Sequence, residues 1–403
     1  MSIYVNACYG CAACKQICPQ HAIQISSEPN GRTQPQVDYQ RCISCHLCEA
    51  VCPDRQSSSR HIPKVGYAAV CTDKKLLQQS ASGGVFSALA KNILECGGVV
   101  FGCSMSRESG KFVLQHIMVD DVKNLYLLQG SKYAHSSTAA IYSQVKEQLK
   151  SGRPVLFSGT PCQVDGLYGY LQRKYYDNLW TVDLICHGVP SADILNDYLS
   201  YIEQKSHICV SEYIFRGKAN GWGKFAYRLK YRSRNGVERE IERPASRSSY
   251  YWLFLHGALY RENCYTCSYT NMNRVADLTI GDWWEIEKEY PTYIGSGPDQ
   301  FQPSEGISCV LVNTEHGENA LTQFGGYLKK RPTAPEAVAR GNRQLQAPQI
   351  PPPYRERLME MYREKGYAGI EKWYRKRLGY KYWAYKIWDK ITKPSKRSVE
   401  RKE

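Results

Sequence analysis

Apolar residues between positions 65 and 206 fall into short continuous runs and longer stretches with helical spacing, and the two patterns alternate. The runs predict strands at Val65–Cys71, 98–102, 155–157 and 181–185. Between them, apolar positions three or four residues apart predict helices near 85–94, 142–149 and 163–171. Alternating strands and helices favour an α/β core.

The second half of the chain shows a different pattern, with α+β character. Ile214 and residues 225–231 predict antiparallel strands, and Asn235-Gly236 predicts a hairpin turn before a strand at 237–241. A further strand at 306–312 precedes a short helix. A proline-rich stretch then interrupts the chain before a basic helical tail.

Two copies of one cysteine pattern occupy residues 1–58. Each copy has the spacing C-x2-C-x2-C-x3-C-P, the signature of bacterial-type ferredoxins with two [4Fe-4S] clusters. Two-residue gaps let a tight loop aim three thiolates at one cubane, and the fourth cysteine of each copy reaches the other cluster. We therefore assign one cluster to Cys8, Cys11, Cys14 and Cys52, and the other to Cys18, Cys42, Cys45 and Cys48.

Zinc is the alternative metal for these eight cysteines, because cysteines two residues apart also bind zinc tetrahedrally. Two quartets that each end in proline favour iron–sulfur clusters instead. The polar stretch 54–60 indicates a linker. The sequence thus predicts three parts, namely a 2[4Fe-4S] ferredoxin domain at 1–58, a mixed α/β body at 65–325 and a basic aromatic helical tail at 326–403.

Composition narrows the class of protein. The 403-residue chain holds 17 Cys, an odd number clustered at short spacings, which suits metal ligation in a reducing compartment. It shows neither an apolar run of membrane-spanning length nor a secretion signal, so we expect a cytoplasmic protein. Most of the net charge of +15 lies in residues 326–403, with 21 Lys and Arg against 8 Asp and Glu, so no nucleic-acid partner is expected for the nearly neutral body.

Four further cysteines lie in settings that a buried structural cysteine does not require. Cys162 and Cys186 fall at the C-terminal ends of predicted strands, the edge at which open α/β sheets bind ligands. Cys264 and Cys267 have the spacing of half an iron–sulfur or zinc site. Our hypothesis is that these four hold a third [4Fe-4S] cluster; a zinc site and four free thiols are the alternatives.

Two segments rich in glycine and serine are candidates for cradling the pyrophosphate of a dinucleotide. Residues 80–84 lie between a predicted strand and a helix, and residues 130–133 follow another helical stretch. Glycine allows close backbone approach, and a helix N-terminus with Ser or Lys donors favours phosphate. An ordinary helix cap is the alternative, since neither G-x-G-x-x-G nor G-x-x-x-x-G-K-[ST] is present in the required context.

Segments spread from about Tyr67 to Asn313 resemble the coenzyme F420 hydrogenase/dehydrogenase beta-subunit family. The matching segments are 80–86, 97–102, 130–136, 155–166, 183–191, 215–222, 264–269 and 274–284. The resemblance implies an iron–sulfur flavoprotein that uses FAD to exchange a hydride with a deazaflavin or related acceptor and passes single electrons through clusters. It also strengthens the hypothesis of a third cluster.

The same resemblance implies a set of cofactor contacts. The candidates for FAD contact are Ser82, Gly83, Gly84, Gly130, Ser131, Lys132 and Tyr133. Thr160 and His187, which neighbour cluster cysteines, are expected to donate to the flavin or to cluster sulfurs, with an ordinary core residue as the alternative for His187. No titratable pair has a recognised catalytic spacing, so the sequence names no catalytic acid or base.

Three residues depart from the family pattern. His135 stands where the family has Gln, Ala276 where it has Gly, and Glu285 where Gly follows Asp-Phe-Trp. Side chains at these positions are expected to narrow the cavity over the flavin, which puts deazaflavin use in question.

The tail interleaves aromatic and basic residues. On a helix, one apolar stripe is predicted, formed by Ile370, Tyr374, Leu378, Tyr382, Tyr385 and Trp388. Such a helix suits the anionic surface on the inner face of a membrane. Packing on the protein's own core or on a partner subunit is the alternative.

Together the parts predict an oxidoreductase in which FAD joins two-electron chemistry to one-electron clusters. The expected partners are a redox protein or ferredoxin and a small-molecule two-electron substrate such as coenzyme F420. The alternative is a non-catalytic electron-transfer subunit that relays electrons to a partner enzyme.

Overall fold

The computed structural model describes a small N-terminal domain, a large body and a helical C-terminal part, over residues 8–27, 33–56, 59–138, 140–218 and 221–381. The N-terminal domain consists of α1 (Ala13–Ile17), β1 (Ile23–Ser27), β2 (Thr33–Val37) and α2 (Leu47–Ala50). Its two strands pair antiparallel. Both helices begin after a residue with φ of +58°, Ala12 and His46, so the two cysteine motifs have the same local shape.

The body contains eleven strands among the described residues: β3 (Val65–Cys71), β4 (Val99–Glu108), β5 (Lys111–Val119), β6 (Val155–Gly159), β7 (Leu179–Leu184), β8 (Ile208–Ile214), β9 (Ala226–Ser233), β10 (Glu238–Pro244), β11 (Leu278–Asp282), β12 (Ser308–Val312) and β13 (Leu328–Thr333). Eight form one mixed sheet in the order β13-β3-β12-β11-β7-β6-β4-β5. Within it β3, β11, β7, β6 and β4 run in the same direction. Their carboxyl ends therefore share one edge, where open α/β sheets bind ligands.

The remaining strands β8, β9 and β10 form a separate antiparallel sheet. The predicted hairpin turn at Asn235-Gly236 joins β9 to β10, and Gly236 has φ of +76°. This sheet packs with α7 and α8 in a second core rich in tyrosine, whose buried members include Tyr198, Tyr213 and Tyr250.

Helices cover both faces of the large sheet and continue into the C-terminal part. They are α3 (Lys74–Gln79), α4 (Val85–Glu95), α5 (Ile141–Lys150), α6 (Pro161–Tyr170), α7 (Ala192–Ser206), α8 (Ser249–Leu255), α9 (Ile286–Glu289), α10 (Glu315–Gln323), α11 (Pro335–Gly341), α12 (Arg355–Lys365) and α13 (Tyr367–Leu378). Side-chain caps begin several of them, because Asp73, Ser191 and Thr314 accept hydrogen bonds from the free N–H groups of α3, α7 and α10.

The structure has two edge strands that the sequence pattern does not predict, β5 and β13. β13 pairs with β3 from Leu328 opposite Cys71 to Thr333 opposite Gly66. Residues assigned from the sequence to a tail beginning at 326 thus include a strand of the large sheet. The cause is the charged run Lys329, Lys330 and Arg331, which hides apolar alternation, as is common on edge strands.

The first half of the predicted apolar stripe packs on the protein itself. Ile370 and Tyr374 are buried in the second core, and the Tyr374 hydroxyl donates to the carbonyl of Ser246 at 2.6 Å. The positions of Tyr382, Tyr385 and Trp388 lie outside the described residues. None of the helices described up to residue 381 combines the length and apolar character of a membrane-spanning segment.

The N-terminal domain docks on α6 at two glycines one turn apart. At Gly166 an added Cβ would lie 2.7 Å from the Cβ of Cys11, and at Gly169 it would lie 2.2 Å from the carbonyl oxygen of Val51. The Thr138 hydroxyl also donates to the Cys11 carbonyl at 2.7 Å. Absence of a side chain on this face of α6 therefore lets the cysteine loops touch the body directly.

A buried ion pair ties the end of β7 to the loop that carries Cys264 and Cys267. Arg274 is 1% exposed at its side chain, Asp183 is 0% exposed, and Nη2 lies 2.8 Å from Oδ1. Arg274 Nη1 also donates to the carbonyl of Tyr269 at 2.9 Å. Thr279 completes the network by donating to Asp183 at 2.6 Å and accepting from Arg274 Nε at 3.1 Å.

Replacing Arg274 by Met should destabilise the body by about 3–5 kcal/mol, because it leaves the Asp183 carboxylate buried without its partner. A lower midpoint of thermal unfolding of the anaerobic holoprotein measures this loss. The matched control is Arg340→Met, since Arg340 pairs with Glu289 on the surface and its loss should leave the midpoint unchanged. Equal midpoints for the two variants would contradict the importance of the buried pair.

Gly169→Ala should weaken the docking of the N-terminal domain by about 1–3 kcal/mol, because the new methyl group overlaps the Val51 carbonyl. Trypsin cleavage after Arg60 reports the docked state, since this side chain donates to the Ser268 carbonyl at 2.6 Å and covers the Tyr269 ring. We expect faster cleavage in Gly169→Ala. Gly326→Ala, whose Cβ would meet nothing closer than 3.7 Å, should be cleaved like the wild type.

Candidate cofactor-binding site

The proximal quartet lies where the N-terminal domain meets α6. Its members are Cys8, Cys11, Cys14 and Cys52. Burial raises the pKa of Cys11 well above its usual value, and the thiols of Cys14, Cys8 and Cys52 raise it further. Burial likewise raises the pKa of Cys14 to about 12, with contributions from Cys8, Cys52 and Cys48. The fourth cysteine of the second motif thus lies near the first three of the first motif, and the assignment of these four to one cluster stays a prediction.

The distal quartet lines one small cavity of about 40 Å³ at the outer end of the domain. Its members are Cys18, Cys42, Cys45 and Cys48. The Cys18 sulfur accepts from the N–H of Ala22 at 3.4 Å. Cys42 and Cys45 are exposed, and Ile43 between them is 60% exposed. The distal quartet therefore faces solvent, whereas the proximal quartet faces the body.

The body quartet comes from three separate segments that meet at the carboxyl edge of the sheet. Its members are Cys162, Cys186, Cys264 and Cys267. Cys162 lies in the first turn of α6, Cys186 follows β7, Cys264 ends a short 3-10 helix at Glu262–Cys264, and Cys267 follows it three residues later. Burial raises the pKa of Cys186, and the thiols of Cys264, Cys162 and Cys267 raise it further. Gly188 permits close packing here, since a Cβ there would lie 2.6 Å from the Tyr260 ring and 3.1 Å from the Cβ of Cys264.

The donor set of each quartet fits a cubane. In the part of the chain that the structure describes, no three His, Cys, Asp or Glu side chains are grouped so that they could hold one metal ion. A cubane does not require its four ligands to meet at one metal ion, since each of its four irons takes one thiolate. Donors to sulfur are also present in the body quartet, where Gly188 N–H donates to Cys186 at 3.4 Å and the Thr160 hydroxyl lies 3.2 Å from the sulfur of Cys162.

A cavity of about 570 Å³ opens at the same carboxyl edge. Its size lies within the range of small-molecule and cofactor sites. Leu184 and Leu255, both more than a third exposed, give it apolar wall surface. Cys186 lines it as well, so the cavity and the body quartet share a wall.

Most of the predicted FAD contacts line this cavity: Ser82, Gly84, Gly130, Ser131, Lys132, Tyr133, Thr160 and His187. Gly83 lies behind the wall, where its N–H donates to Ser308 Oγ at 3.0 Å and an added Cβ would lie 2.4 Å from the Ala69 carbonyl oxygen. Gly83 therefore packs the loop onto the sheet, while its neighbours face the cavity.

A half-buried lysine that the sequence does not single out holds the loop at residues 80–84. Lys218 Nζ donates to the carbonyls of Leu77, Ser82 and Glu305 at 3.0, 2.7 and 2.8 Å. Burial lowers the pKa of Lys218 to about 8. The residue acts as a fixed support for one wall of the cavity.

Lys132 and Tyr133 form another part of the wall. Lys132 Nζ donates to the carbonyls of Gln129 at 2.8 Å and Leu127 at 3.3 Å, and burial lowers its pKa to about 8. The Tyr133 ring stacks on Phe254 with centroids 4.2 Å apart. A cation next to Ser131 and a flat aromatic wall are suitable contacts for a phosphate and a ring system.

Thr160 and His187 stand where cavity and body quartet meet. The Thr160 N–H is capped by Gln163 Oε1 at 3.0 Å, which fixes the start of α6. The surrounding protein desolvates the His187 ring and lowers its pKa, Asp282 acts in the opposite direction, and Arg216 lowers the pKa further. His187 is accessible from the cavity, so the interpretation of it as a core residue is not supported.

An ion pair between Arg216 and Asp282, both lining the cavity, carries no spacing signal in the sequence. Arg216 Nη1 lies 2.8 Å from Asp282 Oδ2, and the Arg216 guanidinium also faces the Phe225 ring at 4.9 Å. The segments 215–222 and 274–284 contribute to the family resemblance, which is the only signal for these residues. Nothing local shows that they pair, because 66 residues separate them.

The three departures from the family pattern differ in their positions. His135 lines the cavity. Ala276 is fully buried in the core beside α6, and Glu285 has φ of +60° with a side chain that pairs with Lys288 at the surface. The expected narrowing of the cavity therefore applies to His135 alone, and the expectation for Ala276 and Glu285 is wrong.

Matches to family models agree with the cysteine quartets in defining an iron–sulfur protein. Residues 7–55 match the 4Fe-4S dicluster domain. Residues 66–142 match the N-terminal part, and residues 152–336 the C-terminal part, of the coenzyme F420 hydrogenase/dehydrogenase beta subunit. The chain belongs to the coenzyme F420 hydrogenase/dehydrogenase beta-subunit family, and the resemblance seen in its sequence is confirmed.

One solved structure similar to this chain is a xenon derivative of the F420-reducing [NiFe] hydrogenase complex from Methanosarcina barkeri. The two chains share 15% identity over 75% of this chain and 94% of that one, with a TM-score of 0.43. No curated protein matches the chain.

Proposed function

We propose that this chain is an FAD-dependent iron–sulfur oxidoreductase that passes electrons between a one-electron carrier and a small-molecule two-electron substrate such as coenzyme F420. The observation that carries the proposal is the wall shared by the cavity and the body quartet, formed by Cys186 and its neighbours Thr160 and His187. A cofactor in the cavity would lie next to a third [4Fe-4S] cluster held by the body quartet.

The cavity has the chemistry that FAD requires. Ser131, Lys132 and the loop ending at Gly84 offer donors and a cation for the pyrophosphate. Tyr133, Leu184 and Leu255 offer flat and apolar surface for rings. When bound, FAD supplies the conversion between hydride transfer and single-electron transfer.

The three quartets follow one another from solvent to cavity. The distal quartet is exposed at Cys42 and Cys45, which makes it the contact point for a redox protein or ferredoxin. The proximal quartet lies against α6 at Gly166, and Cys162 of the body quartet lies in the first turn of that helix. We propose that electrons follow this order, in either direction, in the reducing environment of the cytoplasm.

The decisive measurement is iron, sulfide and FAD per chain after anaerobic purification. We expect about 12 Fe and one FAD, at four Fe per cubane. The variant with Cys264→Ala and Cys267→Ala should fall to about 8 Fe, because half of the body quartet is gone. Cys96→Ala, an exposed cysteine outside the quartets, should keep the full iron content.

About 8 Fe without flavin in the wild type would overturn the proposal. That result would support a non-catalytic subunit that relays electrons to a partner enzyme. Bound FAD that is bleached by reduced ferredoxin or a reduced deazaflavin would establish the electron path and show which two-electron substrate the cavity accepts.

FAD affinity should decrease as the pH rises through and above about 8, because Lys132 is charged below its pKa and neutral above it. Lys132→Met should bind FAD roughly tenfold more weakly at neutral pH, the loss of one charged hydrogen bond, and should lack this pH dependence. Fluorescence titration of apoprotein with FAD between about pH 7 and about pH 9.5 checks both expectations. The control Lys150→Met, at an exposed position on α5, should keep the wild-type profile; an unchanged profile in Lys132→Met would exclude Lys132 as a phosphate contact.

A further inference from the structure

Arg261 inserts its side chain between the proximal quartet and the body quartet. The residue is 3% exposed. Its Nη2 donates to the carbonyl of Tyr9 at 3.0 Å, and its Nη1 donates to Thr33 Oγ1 at 3.2 Å. A Cβ on Gly10 would lie 2.8 Å from Nη1, so the guanidinium occupies the loop between Cys8 and Cys11.

The backbone of Arg261 belongs to the body quartet. Its N–H donates to the carbonyl of Val189, three residues after Cys186, at 3.0 Å. Its carbonyl accepts from the N–H of Cys264 at 2.9 Å. Arg261 thus contacts the chain segments of both quartets. Its backbone contacts the body quartet, and its charged side chain contacts the proximal quartet.

The charge of Arg261 has no carboxylate counter-ion among the residues that the structure describes. None of the carboxylates in the described ranges lies within ion-pair distance of it, and its Nε is buried without a hydrogen-bond partner. Other buried arginines are paired, Arg274 with Asp183 and Arg355 with Glu262. A buried cation without a carboxylate is costly unless another anion stabilises it.

The two quartets are the anions that face this cation. The guanidinium lies in the loop between Cys8 and Cys11, and the backbone carbonyl of the same residue accepts from the N–H of Cys264. Four thiolates outweigh the positive charge of a cubane, so a ligated cluster is anionic, and reduction adds one further negative charge. A nearby fixed cation therefore favours the reduced form of a cluster.

We propose that Arg261 raises the reduction potentials of both the proximal cluster and the body cluster. A transferred electron would then be stabilised on these two clusters. For the body cluster this inference rests on the proposed function. The proximal cluster belongs to the dicluster domain and tests the role of Arg261 by itself.

The test is an EPR-monitored redox titration of the anaerobic holoprotein. Arg261→Gln removes the charge and keeps a donor for the Tyr9 carbonyl. We expect the equilibrium constant for reduction of the proximal and body clusters to fall at least tenfold, which is about 59 mV for a one-electron couple. The distal cluster should keep its potential and serves as the internal reference. Signals of the body cluster are identified by their loss in the Cys264→Ala, Cys267→Ala variant.

Two further variants separate charge from geometry. Arg261→Lys retains the cation and should stay near the wild-type potentials. Thr33→Asp leaves Arg261 in place and adds a carboxylate beside Nη1, so it should lower the same two potentials, whereas Thr33→Asn should not. If Arg261→Gln fails to assemble its clusters, the Thr33 pair still tests whether charge at this position sets the two potentials.

Unchanged potentials in Arg261→Gln or Thr33→Asp at full iron content would overturn the proposal. Equal shifts in Arg261→Lys and Arg261→Gln would also overturn it, because they would assign a packing role to the residue. Iron content reports separately on the proposed function, since a wild type with about 8 Fe lacks the body cluster while the proximal potential still tests Arg261.

Discussion

The buried ion pair between Arg274 and Asp183 fixes the geometry on which the candidate site depends. It joins the end of β7, from which Cys186 emerges, to the segment that carries Cys264 and Cys267. Separating two fully buried charges would leave each of them unpaired in the protein interior, which is costly. The ion pair therefore holds the cysteine loop against the sheet. The body quartet is assembled from distant segments because this network holds them together.

Helix α6 connects that quartet to the N-terminal domain. Its first turn carries Cys162, and Gly166 and Gly169 bring the cysteine loops of the other domain against its backbone. One rigid element therefore sets the relation between the body and proximal quartets. Arg261 lies between them, with its charged side chain buried and hydrogen-bonded to the Tyr9 carbonyl.

The cavity follows from the direction of the central strands. Five strands end at one edge, and this edge collects the residues that follow β6, β7 and β11, including Thr160, His187 and Asp282. Lys218 and Gly83 hold the glycine loop in place from behind. The candidate cofactor contacts and the residues that hold them come from different parts of the chain. The same edge of the sheet positions both groups.

The sequence by itself determined the N-terminal quartets, the family and most of the α/β elements, because each depends on short spacings or local periodicity. Its glycine and serine segments also supplied part of the cavity wall, including Ser82, Gly130 and Lys132. Only the tertiary structure decided that β13 completes the sheet, that Ile370 and Tyr374 pack on the core, and that Arg216 pairs with Asp282. These contacts join residues far apart in the chain, and a charged edge strand or a lone arginine carries no periodic signal that identifies its partner.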